Sequence, residues 1–433
     1  MSDLPPSEPA FAQRYAAQFE PKLITVFREG YGWSGLKADA VAGLTVAVVA
    51  LPLSMGIAIA SGVSPERGLY TAIFGGFIVS LLGGSRFQIG GPAGAFIGLV
   101  AIVVQKHGYD GLALATAMSG VMLLVGALLR VGGLIRYIPH AVIVGFTAGI
   151  AVIIAASQVS EVLGLTIAHE PPELLPKLVA LKAVITTVNW QALAVGLFTI
   201  AIIIGIRYAR PNWPGFLIAI VAATLLYAGL HLDIVTVFSR FGAVPQNFPP
   251  ITVPPLSIEK AIILLPDAAA FALLGAIESL LSAVVADKMG NARHRSDGEL
   301  GAQGVANIVS VLFGGITVTG TIARTATNVR AGARGPIAGM LHAVYLLLFL
   351  MIAAPLIGLI PLAALGAMLL VVAWSMTDRE DIVKMLSEMR GNALVLIATF
   401  LLTIAVNLIV GIAVGCAIAA LLAWRKRRAP DPV

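Results

Sequence analysis

Long apolar runs alternate with short polar stretches along most of the chain, and each run has the length of a membrane helix or of half a helix. A hydrocarbon core about 30 Å thick is crossed by about 20 helical residues. Reading the apolar runs between breaking residues predicts fourteen segments, near 39–60, 68–83, 92–105, 111–129, 136–157, 190–206, 213–230, 266–287, 299–313, 321–332, 336–356, 359–375, 391–407 and 409–424. The pattern therefore predicts an all-α polytopic membrane protein with 14 transmembrane segments.

Two glycine-rich breaks precede the third and tenth segments, which are too short to cross a membrane alone. The first break, Leu82–Ala95, and the second break, Leu312–Thr325, each contain a Gly-Gly pair, a few extended-looking residues and a further glycine. Matching interruptions in the two halves of an apolar chain are the best sequence indication of a transporter binding site. A single break is explained as well by a tight turn or close helix packing, but two matched breaks favour a site formed by two half-helices.

Composition supports the membrane assignment and excludes several other classes. Charged residues make up 12% of the 433 residues and the mean hydropathy is +0.95, whereas soluble domains carry about 25% charged residues. The net charge of +6 resides in short loops between segments, so nucleic acid is not an expected partner. The single cysteine, Cys416, excludes a disulfide framework and a cysteine-based metal site. No HExxH, GxSxG or Walker A motif occurs, so neither an enzyme nor a bound cofactor is expected.

Basic residues set the orientation. With the N-terminus inside, 21 of the 28 basic residues fall in predicted cytoplasmic pieces and six in outer loops. Seven segments in each half place the second repeat in the opposite orientation to the first, which predicts an inverted repeat with both termini cytoplasmic. The predicted organisation is a cytoplasmic N-terminal segment (1–38), a first repeat (39–230), an extracytoplasmic loop (231–262), a second repeat (263–424) and a basic cytoplasmic tail (425–433). We expect the basic tail to anchor at the membrane lipid surface.

Few ionisable residues fall at membrane depth, and these are functional candidates because each costs at least about 2.5–3.5 kcal/mol there. Glu278 lies midway along the eighth segment, with Ser282 one helical turn further on. A buried carboxylate beside a hydroxyl can bind Na⁺ or take up a proton; the alternative is a neutral glutamate hydrogen-bonded between helices. Arg324 lies in the first turn of the tenth segment, where it can face a bound anion, pair with Glu278, or both.

The starts of the two half-helices add anion chemistry. At Pro92–Ala95 and at Thr321–Ala323 the first backbone N–H groups lack intrahelical partners, and each helix end carries about half a positive charge. Two such ends facing each other predict a site for a small anion. The other polar residues within segments are expected to be structural, and they include Gln303, Asn307, Asn328, His140 and His342.

The motifs together resemble the membrane domain of the sulfate permease (SulP) anion transporters, nearest to the bacterial bicarbonate- and dicarboxylate-type branch. The matching residues are Asp39 to Thr45, Leu51 to Ala58, Gly68 to Gly75, Gly90-Gly91-Pro92, Glu278 to Asp287, His294, Glu299-Leu300, Gly304, Gly314-Gly315 and Thr321 to Arg324. The resemblance implies a substrate-carrying core (segments 1–4 and 8–11), a gate (segments 5–7 and 12–14), elevator-like movement, a homodimer and a bacterial inner-membrane location. The expected contacts of the anion, which is sulfate, bicarbonate or a dicarboxylate, are Leu53, Ser54, Ala93, Gly94, Ala95, Thr321, Ile322, Ala323 and Arg324.

Two departures from the family pattern affect the predicted mechanism. Leu53 stands where many relatives carry glutamine, which removes one polar substrate contact. Glu278 and Ser282 stand where sodium-coupled bicarbonate relatives carry aspartate and threonine, and the longer carboxylate is similar to that of proton-coupled members. Proton symport is therefore expected, with Na⁺ bound at Glu278 and Ser282, or channel-like uncoupled conduction, as the alternatives. Family members usually continue into a cytoplasmic STAS domain, and this sequence, which stops at Val433, contains none. Either a naturally short member or a shortened form of a longer protein would give this pattern.

Overall fold

Helices occupy the positions of all fourteen predicted segments in the computed structural model, which describes residues 17–167, 170–211, 213–388, 390–406 and 408–428. The elements of the first half are α1 (Lys22–Arg28), α2 (Trp33–Ala60), α3 (Pro65–Tyr70), a π-helical turn (Thr71–Gly75), α4 (Gly76–Leu82), β1 (Gly90–Gly91), a 3₁₀ turn (Gly94–Phe96), α5 (Ile97–Leu128), a 3₁₀ turn (Val131–Tyr137), α6 (His140–Leu163), α7 (Leu174–Ala183), a 3₁₀ turn (Ile185–Thr187), α8 (Trp190–Ala209), α9 (Gly215–Leu230) and α10 (Val237–Phe241). Those of the second half are α11 (Ile258–Gly290), α12 (Ser296–Leu312), β2 (Thr319–Gly320), α13 (Ile322–Arg330), α14 (Ile337–Gly358), α15 (Leu362–Met376), α16 (Arg379–Glu388), α17 (Arg390–Ala405) and α18 (Leu408–Arg428). Residues 1–16 of the N-terminal segment and 429–433 of the basic tail lie outside the described residues.

Eight helical stretches in the described part are long and apolar enough to cross a membrane. They are Trp33–Ala60, Gly94–Leu128, His140–Leu163, Trp190–Ala209, Ile258–Gly290, Ile337–Gly358, Leu362–Ser387 and Leu408–Arg425. The second of these joins predicted segments three and four across Gly108, whose φ of 66° interrupts the helix. Large apolar side chains such as Leu225 and Ile352 stay exposed on the outside of the bundle, as lipid-facing positions do.

The largest boundary difference concerns the eighth segment. The apolar run between breaking residues predicts a start near residue 266. In the structure α11 begins at Ile258, and the Ser257 hydroxyl caps it by accepting the Lys260 N–H at 3.4 Å. Pro266 lies inside this helix. A serine N-cap satisfies a free N–H group, so it defines the start more effectively than the proline does.

The helices pack into two groups. In the first group α5 packs against α11 and α12, α14 packs against α2, and α4 contacts both α12 and α14. In the second group α6 packs against α8, α15, α17 and α18. Close approach in the first group depends on glycines at the crossing of α5 and α12, where a Cβ on Gly120 would lie 2.6 Å from the carbonyl oxygen of Gly304. Small residues at such crossings let two backbones touch. These close contacts hold the glycine-rich breaks between α2, α11 and α12.

Candidate functional site

The two glycine-rich breaks, about 230 residues apart in the sequence, pair with each other. Strands β1 and β2 are antiparallel, with Gly90 opposite Gly320 and Gly91 opposite Thr319. The Thr321 N–H extends the pairing by donating to the carbonyl oxygen of Ile89 at 3.0 Å. Antiparallel pairing points the two chains in opposite directions, so the half-helices that follow leave the pair on opposite sides.

Glycine is required in this strand pair because neighbouring side chains lie against the backbone. A Cβ on Gly91 would lie 2.0 Å from Nη1 of Arg324, and a Cβ on Gly320 would lie 1.8 Å from Nε2 of Gln88. Both distances are far below van der Waals contact. The glycines therefore give room to two buried polar side chains rather than to an unusual backbone conformation.

Both half-helices begin without a side-chain cap. Ala93 and Thr321 are the extended residues before the first turns, and neither side chain accepts a hydrogen bond from the helix that it precedes. The Thr321 hydroxyl lies 3.3 Å from the carbonyl oxygen of Ile89 and donates to it instead. Gly94 is partly exposed, and Ile322 and Ala323 are exposed, so the first turns remain accessible. Accessible, uncapped helix starts offer N–H groups and partial positive charge to an anion.

Arg324 is the buried cation of the site, with only 2% of its surface exposed. Its Nη2 donates to the Ser54 hydroxyl at 3.1 Å and to the carbonyl oxygen of Pro92 at 3.3 Å, while Nη1 has no hydrogen-bond partner among the described residues. Ser54 in turn donates to the carbonyl oxygen of Ala50 at 2.7 Å. The structure thus brings together one residue of α2, the end of the first break and the start of α13. Leu53, beside Ser54, is buried in the main apolar cluster.

Glu278 lies on α11 without a direct ion pair. Its Oε2 is buried and has no hydrogen-bond partner among the described residues, and no described basic side chain lies within ion-pair distance of it. Arg324 interacts with it through its charge alone, since the guanidinium hydrogen-bonds to Ser54 and Pro92. The two opposite charges therefore interact electrostatically without forming a direct salt bridge.

Ser282 supports the first break rather than contacting the Glu278 carboxylate. It is fully buried, and its hydroxyl lies 3.1 Å from the Thr325 hydroxyl. Thr325 Oγ1 also accepts the Ile89 N–H at 3.1 Å. The hydroxyl of Ser282 thus belongs to a chain of hydrogen bonds that links α11 and α13 to the residue before β1.

A row of polar residues on α12 holds both breaks. The sequence predicts Gln303 and Asn307 to be structural and indicates Glu299 only as part of the family motif. The Gln303 side-chain amide donates to the Glu299 carboxylate at 3.0 Å. The same carboxylate accepts the side-chain amide of Gln88, in the first break, at 2.9 Å. The side-chain amide of Asn307 bonds to the backbone of Val318 in the second break as a neighbouring strand would. Its NH₂ group donates to the Val318 carbonyl oxygen at 2.9 Å, and its oxygen accepts the Val318 N–H at 3.0 Å. The i, i+4 spacing of Glu299, Gln303 and Asn307 is the sequence signal for one shared face.

Two histidines differ from each other in their surroundings. His140 lies 2.6 Å from Asp381. His342 is fully buried, and neither of its ring nitrogens has a hydrogen-bond partner among the described residues. His342 is thus buried as a structural residue would be, but its ring lacks the hydrogen bonds that such a histidine usually makes.

A cavity of about 290 Å³ reaches the start of the first half-helix. The lining includes Gly94 and Ala95, Ile150 and Ile154 of α6, and the residues from Pro172 to Pro176, where α7 begins. The cavity thus runs from the strand pair along the boundary between the two groups of helices.

Comparisons with known proteins show that the chain is similar to one family and to several of its members. The model of the sulfate permease family matches residues 36–399. YvdB of Bacillus subtilis (strain 168), a protein whose name assigns it provisionally to sulfate transport, is 40% identical over 392 residues, which are 90% of this chain and 74% of YvdB. The bicarbonate transporter BicA of Picosynechococcus sp. (strain PCC 7002) is 31% identical over 400 residues, covering 89% of this chain and 70% of BicA.

Solved structures agree with the fold. The transmembrane domain of a cyanobacterial BicA superposes with a TM-score of 0.79 at 30% identity and covers 88% of this chain and 98% of that one. The murine anion transporter Slc26a9 in the inward-facing state superposes with a TM-score of 0.85 at 16% identity, covering 98% and 74%, which shows likeness of fold alone. The architecture is all-α, with two inverted repeats of seven segments, half-helices at segments 3 and 10, and separate core and gate groups.

Proposed function

The chain belongs to the sulfate permease family of anion transporters, and on that premise we propose that it is a secondary active transporter that carries a small anion together with a proton. The substrate class is sulfate, bicarbonate or a dicarboxylate. The proposed setting is a homodimer in a bacterial inner membrane with both termini cytoplasmic. The core group of helices carries the anion past the gate group in an elevator-like movement.

One observation supports anion binding above all, which is the convergence of two uncapped helix starts on a buried guanidinium. Both starts contribute partial positive charge, and Arg324 adds a full charge with one unpartnered nitrogen. Preformed backbone donors of this kind bind small anions without requiring many charged side chains. The proposed contacts are Leu53, Ser54, Ala93, Gly94, Ala95, Thr321, Ile322, Ala323 and Arg324.

Glu278 is the proposed proton carrier. Its Oε2 has no hydrogen-bond partner among the described residues, and Arg324 is the cation that acts on its charge. An anion bound beside Arg324 offsets that positive charge, so the anion and a proton on Glu278 favour each other's binding. The net charge of the loaded site then stays small as it crosses the membrane, where an uncompensated charge is costly.

Sodium coupling is the nearest alternative, with Na⁺ between Glu278 and Ser282. The hydroxyl of Ser282 already pairs with Thr325 and so helps to hold the first break. No hydrogen bond joins this hydroxyl to the Glu278 carboxylate among the described residues, so the two groups do not already form a shared site. This arrangement favours the proton over Na⁺.

Uptake into proteoliposomes tests the proposal. Sulfate, bicarbonate, fumarate and chloride are offered separately, with a pH gradient, with a Na⁺ gradient, and with neither. We expect accumulation driven by the pH gradient for at least one of these anions, and Glu278→Gln should abolish that accumulation while anion exchange at equal pH continues. Glu259→Gln, which changes an exposed acid at the start of the same helix, is the control and should accumulate normally. Unchanged accumulation in Glu278→Gln contradicts proton coupling. Accumulation that requires a Na⁺ gradient supports sodium coupling instead. Anion flux that neither saturates nor follows either gradient indicates channel-like conduction.

A further inference from the structure

A second buried carboxylate, Glu299 on α12, has no part in the proposed coupling. It is fully buried and accepts four hydrogen bonds. Oε1 accepts from the side-chain amides of Gln88 at 2.9 Å and Gln303 at 3.0 Å, and from the Ser279 hydroxyl at 3.4 Å. Oε2 accepts the backbone N–H of Ser85 at 3.0 Å. Glu299 therefore joins α11 and α12 to the first break.

All four donors are neutral, and several of the basic groups nearby pair with other residues. No described basic side chain lies within ion-pair distance of Glu299. On the parts of the described elements that lie around Glu299, the titratable or charged residues are Arg86 on the first break, Arg130 just after α5, Glu278, Asp287 and Lys288 on α11, Arg293, His294 and Arg295 just before α12, Asp297 on α12, Arg324 on the second break and Lys22 on α1. His294 pairs with Asp287 at 2.7 Å, Arg130 lies 3.8 Å from Asp297, and Arg86 pairs with Glu29 at 2.7 Å. A buried carboxylate held only by neutral donors is balanced between its charged and protonated forms more closely than an ion-paired one is.

The same cluster can also hold the protonated acid. The buried oxygens Gln88 Oε1, Gln303 Oε1 and Ser85 Oγ have no hydrogen-bond partner among the described residues. Turning either amide by half a turn puts its oxygen where its nitrogen now lies, since the two ends have nearly the same shape. The turned amide then accepts the proton of a Glu299 carboxylic acid. The cluster thus supplies donors for one protonation state and acceptors for the other.

Gln88 connects this cluster to the candidate anion site. Its Nε2 also donates to the Ser279 hydroxyl at 2.7 Å and to the Ser279 carbonyl oxygen at 3.2 Å, and the turned amide gives up the second of these bonds. The Gln88 side chain also fills the space that a Cβ on Gly320 would need. Gln88 is followed directly by Ile89, which pairs with Thr321, and then by β1. A turn of the Gln88 amide therefore acts directly on the packing of the two breaks against each other.

We propose that Glu299 is a second protonatable residue, a positioning residue whose proton turns the Gln88 amide and so sets the affinity of the paired breaks for the anion. The effect on anion affinity rests on the proposed function, whereas the protonation of Glu299 does not. The two carboxylates then have separate tasks. Glu278 carries the proton that drives uptake, and Glu299 makes the affinity depend on pH.

Infrared difference spectra of the purified protein between acidic and neutral pH test the protonation directly, because a carboxylic acid C=O band reports each protonated side chain. We expect Glu299→Gln to lose one band that the wild type and Glu278→Gln both keep. Asp297→Asn is the matched control: this acid lies two residues earlier on the same helix and faces Arg130, so its replacement should leave that band in place. In proteoliposomes Glu299→Gln should lose the pH dependence of KM for the anion and keep accumulation driven by the pH gradient.

Glu299→Gln spectra identical to those of the wild type overturn the proposal, and so does an unchanged pH dependence of KM. If Glu299→Gln does not fold, Gln303→Met keeps the carboxyl group and removes one amide acceptor, so the Glu299 band should shift in frequency; a band at the wild-type frequency overturns the proposal equally. Failure of the proposed function has a different signature. Absent or uncoupled transport in the wild type leaves the infrared result on Glu299 intact.

Discussion

Replacing Gly91 by alanine tests whether the buried guanidinium of Arg324 needs the position that it has in the structure. A Cβ on Gly91 would lie 2.0 Å from Nη1 and 3.1 Å from Cζ of Arg324. Van der Waals contact begins at about 3.5 Å, so the guanidinium must move by about 1.5 Å. Such a shift takes Nη2 away from at least one of its acceptors, the Ser54 hydroxyl at 3.1 Å and the Pro92 carbonyl oxygen at 3.3 Å.

The size of the effect follows from those hydrogen bonds. A bond to a charged group contributes about 1.5–3 kcal/mol. If the anion needs the guanidinium in its original place, that energy is subtracted from the free energy of anion binding. Each factor of ten in affinity corresponds to about 1.4 kcal/mol, so Gly91→Ala should bind the anion about tenfold to a hundredfold more weakly.

Titration calorimetry on the purified protein and KM in proteoliposomes measure the change in affinity. Gly301→Ala is the matched control, because its Cβ would lie at an ordinary 3.7 Å from the Cβ of Ala127, and its affinity should equal that of the wild type. Arg324→Lys removes the atoms that the new Cβ meets, so adding Gly91→Ala in that background should cost little further stability in a thermal unfolding assay. Wild-type affinity in Gly91→Ala, or the same loss of stability in both backgrounds, would refute this reasoning.

Two further substitutions test the strand pair and the cavity. Gly320→Ala would place a Cβ 1.8 Å from Nε2 of Gln88 and so displace a buried amide, and we expect it to lower the thermal unfolding midpoint. The control is Gly229→Ala on α9, where the added Cβ meets open space. This variant should unfold at or above the wild-type midpoint. Equal midpoints for the two variants would count against tight packing at the strand pair. Gly94→Val would crowd Ile154, whose Cδ1 lies 2.9 Å from the added Cβ, and should slow uptake in proteoliposomes while the protein stays folded; an undiminished rate would show that the cavity is not on the transport route.

Much of the fold could be predicted from local sequence. The segments follow from the lengths of apolar runs, and the half-helices at 3 and 10 follow from the two glycine-rich breaks. Boundaries were less predictable where two signals compete. At the eighth segment the capping serine at 257 determines the helix start, although the apolar run predicted a start near residue 266.

The candidate site was predictable in its residue types and less so in its connections. Glu278 and Arg324 were identifiable because charges at membrane depth are rare, but the guanidinium bonds to Ser54 and Pro92 rather than to the carboxylate. Glu299 stood out only as part of a family motif. Nothing near it in the sequence indicates that its partners are Ser85 and Gln88, more than 200 residues earlier in the chain.

Local sequence patterns account for the number of segments, the two matched halves and the rarity of buried charge, because hydrophobicity and backbone breaks act over a few residues at a time. The antiparallel pairing of the two breaks, and the room that Gly91 and Gly320 make for Arg324 and Gln88, arise from tertiary contacts instead. Those contacts join residues that are far apart in the chain. Their geometry depends on how α2, α11 and α12 pack around the breaks, and no local pattern contains that information.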